Sequence, residues 1–486
     1  MKVGWSILLL ISTAAFAGGP KYQKPEVTVP QNWQAPAPWQ LANPGDSIPK
    51  GAWWTLFNDS ELNQYEERAL ANNQSLKAAV ARLAEARSFA QITSADLFPQ
   101  ASGGVSVGRQ RVSGNRPNLG SIIPTRADTE NTFQVPFNLN YEIDLFGRVR
   151  NNVLAANAAY QASAADLENV RLIVSAEVAG DFFQLRELDA EMAVVRKAIE
   201  FEQAGLKLVE NRHTGGAASG LDVAQQQTFL DASIAQLSLL QQQHDQFQHA
   251  LAALQGLPAS NFVAPTRALN VEPPPVPLML PSELLQRRPD IAEAERSVAE
   301  ANARIGVARA ALYPSISLSG AAGVLSREIS RLVDAPSTFW SLGLAAVEPI
   351  INGGRNRAVL QNTRAVYEEN VANYRESSLI AFQQVEDALS GLNSLSAAYT
   401  AQVRAVDDAQ RALTLANARY TGGLVTYLDV ITAQETLLSN ERLATQILGQ
   451  RLTTSVLLVK ALGGGWDSAS LASVGFKPTL RQSVQQ

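Results

Sequence analysis

Apolar positions recur along this chain with two periods, and the two alternate. From Phe382 onward, Phe382, Val385, Leu389, Leu392, Ser396, Tyr399, Val403, Val406, Gln410, Leu413, Asn417 and Tyr420 step by three and four residues, and nine of the twelve are apolar. That spacing is the seam of a coiled coil. It lies in the proline-free stretch 355–420, and 148–212 is a second such stretch. At 1.5 Å per residue, a helix of about 65 residues is a rod roughly 100 Å long. An ordinary globular helix has about 11–12 residues, so these two are built to span a distance.

Between the helical stretches the period falls to two. "TFQVPFNLNYEIDL" (132–145) sets Phe133, Val135, Phe137, Leu139, Tyr141, Ile143 and Leu145 on one side, and Thr132, Gln134, Asn138, Asn140, Glu142 and Asp144 on the other; Pro136 is the one exception. "SISLSGAAGV" (315–324) sets Ile316, Leu318, Ala322 and Val324 against Ser315, Ser317 and Ser319. Segments of this length with one apolar and one polar face read as outer-membrane barrel strands. Four are expected, at 101–112, 130–145, 315–325 and 337–349. Four strands cannot close a barrel, and an open edge in lipid leaves backbone groups without partners. The chain is therefore expected to oligomerise.

The pattern is written twice. "RHTGGAASGLDV" (212–223) returns as "RYTGGLVTYLDV" (419–430), 207 residues later, and "DLFGRVRNNVLAANAAY" (144–160) lies over "INGGRNRAVLQNTRAVY" (351–367) at the same offset. Upstream, "LFP" (97–99) matches "LYP" (312–314) at an offset of 215. Two tandem repeats follow. The first, 61–256, reads helix, strand pair 101–145, long helix 148–212, turn, helix 220–256. The second, 283–463, reads helix, strand pair 315–349, long helix 355–420, turn, helix 428–463. The shorter leading helices, 61–97 and 283–312, each close before a proline (Pro99, Pro314). A Pro-rich leader (18–60) precedes the repeats, a Pro-rich linker (257–282) joins them, and a polar tail (464–486) is expected to lie outside the packed body.

Composition narrows the setting. The opening "MKVGWSILLLISTAAFA" has a lysine, an apolar run and a small-residue Ala-Phe-Ala site, which reads as a signal peptide over 1–17. An exported chain with no cysteine must be held together by packing. Net charge −5, with 17% charged residues, excludes the basic profile of a nucleic-acid binder. His244 and His249 are five apart, off the helical spacings that would bring both to one metal. No phosphate loop, dinucleotide fingerprint, zinc-protease motif or nucleophile elbow occurs. The glycine pairs Gly215-Gly216 and Gly422-Gly423 are followed by Leu-Asp and serve as helix stops. No catalysis, cofactor, metal or nucleic-acid partner is expected.

The residues resemble a known family. "GPKYQKP" (19–25), "RRPDIAEAERSVAEANARIGVARAALYPSISLSG" (287–320), "INGGRNR" (351–357) and "RYTGGLVTYLDV" are similar to TolC-type outer-membrane efflux proteins, the NodT/OprM branch that works with RND-type pumps. The resemblance implies an α+β membrane protein. It would be a homotrimer whose tandem-repeat protomers each give four strands to a 12-stranded barrel in outer-membrane lipid, continuous with a long α-helical coiled-coil barrel in the periplasm. Partners would be a periplasmic adaptor and an inner-membrane RND-type pump, and the function a passive exit duct for small molecules. A protein-secretion duct and a soluble periplasmic coiled-coil scaffold are the rival readings. The lipidated cysteine of many members is missing from "AAFAGGPKY", so anchoring is expected to rest on the barrel.

The resemblance also implies a gate where the twin turns meet. Asp429 would form a carboxylate ring around the mouth, and the second aspartate of the family pattern is replaced by Thr432. Tyr420 would hydrogen-bond Asp222 and tie the coils shut; the arginine expected near it is Val425. Without gating roles, Asp429 is a carboxylate favoured in a helix's first turn and Tyr420 ends the seam.

Overall fold

The computed structural model describes residues 19–34, 51–114, 127–269, 271–275 and 281–475. The segment 1–17 lies outside them. The first repeat runs α1 (Ser60–Asn72), α2 (Gln74–Ala95), β1 (Gln100–Gly103), β2 (Ser106–Val112), β3 (Asp128–Glu142), α3 (Arg148–Thr214) and α4 (Gly220–Leu254). The second runs α5 (Pro281–Arg287), α6 (Pro289–Ala310), β4 (Ser315–Ser326), β5 (Thr338–Val347), α7 (Arg355–Thr421) and α8 (Tyr427–Ala461). α3 and α7 each hold 67 residues, α4 and α8 each 35, α2 and α6 each 22.

Each leading helix expected as one piece is broken in two. Asn73 stands between α1 and α2 with φ −56° and ψ 129°; its Oδ1 accepts from the Leu76 amide at 3.0 Å, capping α2. Between α5 and α6 the cause is Pro289, which holds Arg288 extended at φ −100°, ψ 124°. The two breaks do the same work 215 residues apart. Asn73 Nδ2 donates to the Leu254 carbonyl at 3.0 Å, and Arg288 donates to the Ala461 carbonyl at 3.3 Å, so each ties down the end of its own repeat's last helix. Gly256 and Gly463, 207 apart, turn with φ +72° and +87° directly under the Asn72 and Arg287 carbonyls, where a Cβ would collide. The repeat therefore holds down to single contacts.

The sheet is antiparallel and four positions wide: β1 and β2 both pair with β3, then come β4 and β5. The first expected strand is interrupted at residues 104–105, opposite Pro136, which has no amide to give the ladder. On Pro136's other side stands Gly323, where any Cβ would strike the Val135 carbonyl.

Most of the core sits midway along the rods. Phe57, Tyr65, Phe182, Phe183 and Phe262 pack there ring on ring, with centroids 4.8 to 5.9 Å apart between neighbours. Phe262 and Ala264 come from the inter-repeat linker, so this Pro-rich bridge is part of the core and not a plain connector. The tail also differs from expectation. Through residue 475 it packs, with Leu471 buried and Gln161 donating to the Val474 carbonyl at 2.9 Å. In the leader, 19–34 runs extended against α6 and α7: Asn302 donates to the Pro20 carbonyl, Tyr22 to Glu295, and Trp33 lies 6.1 Å from Phe382.

The seam along α7 is displaced in its middle. Ser396, Val403 and Gln410 are exposed, and the covered stripe runs instead through residues 395, 399, 402, 406, 409 and 413. Gln402 takes the inward place because its amide bonds the Asn440 side chain (2.8 Å) and carbonyl across the hairpin.

Two buried acids on α3 give a pH signature. Burial, then Glu191, pushes Glu187 up to about 7; burial does the same to Glu202, opposed by the Ser233 hydrogen bond. An acid raised from about 4.5 binds its proton more tightly folded than unfolded, so stability falls as pH rises from about 4.5 to 7 and is flat above. Melting at pH 5.5 is expected above melting at pH 8. Glu187→Gln with Glu202→Gln should reduce that slope, adding about 1–3 kcal/mol at pH 8, while Asp181, Glu293 and Glu66, also pushed up by burial, keep the remainder. A slope unchanged by both substitutions would place the titration elsewhere.

Candidate functional site

The repeated turn closes the far end of both long helices, and each copy folds the same way. At the first, the Gly215, Gly216 and Ala217 amides donate to the Asn211, His213 and Arg212 carbonyls; at the second, Gly422, Gly423 and Leu424 donate to Ala418, Tyr420 and Arg419. Gly216 and Gly423 take φ +75° and +72°, the left-handed geometry that ends a helix. The Leu-Asp-Val that follows opens the next helix. Asp222 Oδ2 accepts from the Ser219 amide and hydroxyl, both at 2.8 Å, and Asp429 Oδ2 from the Thr426 amide (3.1 Å) and hydroxyl (2.7 Å). Both aspartates are thus third residues of capping boxes. Asp429 is exposed, and its Oδ1 makes no hydrogen bond among the described residues.

No hydrogen bond joins Tyr420 to Asp222 within the protomer, where Asp222 Oδ2 accepts from its own helix cap. The Tyr420 ring is engaged instead. The Arg212 guanidinium lies 4.6 Å from its centroid, and the Tyr427 ring 5.0 Å away at 59°. Burial, with Tyr420 beside it, pushes the Tyr427 hydroxyl up to about 12. These rings join Val209, Leu413, Val430 and Ile431 in a small apolar cluster spanning both hairpins. Arg212 and Tyr427 escaped the sequence reading. The available signal was a mismatch between the copies, since Tyr427 stands where the first turn has Gly220.

At the opposite end, register sorts the sheet into two faces. Phe133, Phe137 and Tyr141 share a face with Leu318 and Ala322 of β4 and with Trp340, Leu342 and Leu344 of β5. Trp340 is 81% exposed. The reverse face carries Ser102, Gln134, Asn138, Asn140, Ser317, Ser319 and Ser341. An apolar belt on one face and hydroxyls and amides on the other is a wall between lipid and water. Among the described residues no helix is apolar enough to cross a membrane and no cluster of metal-ligating side chains occurs.

An amphipathic sheet set on helices roughly 100 Å long, with the chain turned twice at their far end, defines an outer-membrane duct with a periplasmic helical extension. The profile of one family, the outer membrane efflux proteins, matches residues 66–257 and 280–464. The chain is 35% identical over 438 residues to the pyoverdine export outer membrane protein OpmQ of Pseudomonas aeruginosa, covering 89% of this chain and 92% of that one. It is 31% identical over 452 residues to the cation efflux system protein CusC of Escherichia coli O157:H7, covering 92% and 95%. Among solved structures, the outer-membrane channel OprN superposes with a TM-score of 0.86 at 27% identity, over 93% of this chain and 99% of that one. The chain belongs to the outer membrane efflux protein family and is an efflux exit duct of the outer membrane.

Proposed function

We propose that three copies close into a twelve-stranded barrel above a helical tunnel. The duct passively carries small molecules handed over by a periplasmic adaptor and an inner-membrane RND-type pump. The observation carrying the trimer is a difference between equivalent helices. α3 buries 25 residues and α7, of equal length, only 11; α6 buries 12 and α2, of equal length, 5. Within the protomer α3 lies against α6 and α8, and β3 against β4. The same contacts shifted by one repeat set α7 against α2 and α4 of a neighbour, and β5 against the neighbour's first strand. They would cover the exposed Phe89, Ile92 and Leu379 and satisfy both sheet edges. The purified protein is expected to be a detergent-requiring trimer without a stable folded monomer; mass measurement of a folded, detergent-free monomer would remove this reading.

Three Asp429 carboxylates from such a trimer supply the gate with a cation-attracting ring, and Tyr420, with Asp222 capping the adjoining helix, belongs to the contact that holds it narrow. Neither cargo follows from the relatives, since OpmQ carries the name of pyoverdine export and CusC that of cation efflux. Deleting the gene and exposing cells to drugs, dyes, metal ions and iron starvation separates them: sensitivity confined to secreted-protein defects would favour the secretion duct.

A further inference from the structure

The outward side of the sheet ends in charge. From Phe133 to Ile143 every second residue on that side is apolar. Ten residues at about 3.4 Å each, tilted roughly 35–45°, stand about 25 Å tall, the height of the apolar band of an outer-membrane barrel. Beyond Phe133, on the side away from the helices, the same face continues with Asn131 and Thr129, and their partners on β2 are Arg109 and Arg111. Val107, which precedes them on that face, pairs with Phe133. The two arginines therefore leave the strand about 5 and 10 Å above the last apolar layer, and both are exposed. Among the described residues no carboxylate on this face answers them. Strand alternation turns Asp128 and Glu130 to the reverse face, where Glu130 holds Arg327 at 2.9 Å. The stretch 113–127 contains no Asp or Glu. The second repeat has Val324 and Ser326 at the equivalent places, 215 residues on, so the fold itself does not require arginine there.

The assembled wall adds a ring beside them. β5 repeats β3 207 residues on, and the registers agree: Val107 faces Phe133 as Ala322 faces Trp340. Moved by one repeat, the pairs Phe133–Ser326 and Val135–Val324 set Trp340 and Leu342 of a neighbour opposite Arg111 and Arg109. Trp340 is exposed in the protomer and stands at the edge of the band, the level at which interfacial tryptophans sit. Because the helices extend into the periplasm, this end of the sheet lies in the outer leaflet. The lipid of that leaflet is lipid A, a multiply acylated disaccharide that carries phosphates. We propose that Arg109 and Arg111, beside Trp340 of a neighbour, hold a phosphate of lipid A, three sites to a trimer, with the acyl chains lying on Val107 and Phe133. A guanidinium fork fits phosphate oxygens two at a time. Arginines two residues apart on one strand face stand about 7 Å from each other, so one phosphate is within reach of both. The site rests on the trimeric duct for the part that Trp340 plays.

The test titrates delipidated, detergent-held wild type and the double variant Arg109→Gln with Arg111→Gln. The probes are lipid A, lipid A stripped of its phosphates, and phosphatidylglycerol, with bound lipid counted by native mass measurement. Wild type should take up lipid A at three sites per trimer, and the double variant should bind it at least tenfold more weakly. Stripping the phosphates should cost the wild type as much and the variant nothing further. Trp340→Leu should weaken binding severalfold. Arg327→Gln removes an arginine that Glu130 already pairs and should leave binding within twofold. Lipid A bound equally by wild type and double variant overturns the site, and so does a loss in Arg327→Gln as large as in the pair, which would mark a general charge effect. Phosphatidylglycerol held as tightly as lipid A overturns the assignment to the outer-leaflet lipid. Should the double variant fail to assemble, the single variants serve: each should lose at least threefold, and wild-type affinity in both overturns the proposal. A wild type that forms no trimer sinks the assembled duct and Trp340's part with it, whereas trimers indifferent to the phosphates sink this site alone.

Discussion

Arg186→Met is expected to cost about 3–5 kcal/mol of stability, the range for removing one partner from a buried ion cluster. The guanidinium is buried mid-rod on α3. It donates to Asp189 at 2.6 Å, to Glu61 of α1 at 3.0 Å and to the Pro265 carbonyl of the inter-repeat linker at 2.6 Å. Without it the Asp189 carboxylate keeps only the Arg267 amide at 3.2 Å and His244 at 3.4 Å. Burial already pushes Asp189 up, against the pull of those groups and of Arg186. Removing the arginine raises it further, and the sign follows. The deficit is largest at high pH, where the stranded Asp189 carboxylate must stay ionised, and shrinks as pH falls and it takes up a proton. Arg186→Met combined with Asp189→Asn should recover part of the loss, because an amide carries no charge to strand. Melting curves of wild type and both variants at pH 5.5 and 8 check this. Loss below about 1 kcal/mol at both pH values would mean that water reaches the cluster.

That cluster marks the limit of what the sequence made legible. The long helices and the strands were readable because one face of each meets a uniform neighbour, so side-chain polarity alternates with the element's own period. The tandem repeat made their lengths readable twice. Asn73 was not visible as a break, since an asparagine inside an Ala/Leu/Glu-rich run acts as a cap only once the Leu254 carbonyl is brought beside it. The inter-repeat linker looked like a spacer because it has no period, yet Phe262 enters the aromatic core and Arg267 reaches Asp59 at 3.1 Å. Such contacts join residues some 200 positions apart and leave no local pattern. At the tip, Asp429 was legible as a helix-opening residue, and the structure makes both it and Asp222 members of capping boxes. The expected Tyr420–Asp222 bond is not made within the protomer, where Asp222 Oδ2 serves its own cap; a contact between neighbouring coils of an assembled trimer leaves no local pattern in the sequence. Arg212 stays hidden until the ends of α3 and α7 are set side by side.

The gate can be divided by chemistry into charge, ring and cap. Asp429→Asn keeps an acceptor for Thr426 and removes three charges from the proposed mouth. Cation-to-anion permeability ratio should fall toward one and block by divalent cations should disappear. Stability should drop only by the helix-dipole share, about 0.3–1 kcal/mol. Tyr420→Phe keeps the ring over Arg212 and against Tyr427, so open probability should stay near that of the wild type. Tyr420→Leu removes the aromatic face and should raise it severalfold. Asp222→Ala strips the cap from α4 and should cost about 0.5–2 kcal/mol with little change in current. Paired with Tyr420→Leu its effects should add, because a cap and a ring contact share no atom. A different ordering decides against this division. If Tyr420→Phe opens the duct as far as Tyr420→Leu, and Asp222→Ala adds nothing to either, the hydroxyl reaches an aspartate in the assembled trimer and the ring is only packing. If Asp429→Asn leaves the permeability ratio where it was, the carboxylate is a helix cap and the cation preference arises elsewhere along the tunnel.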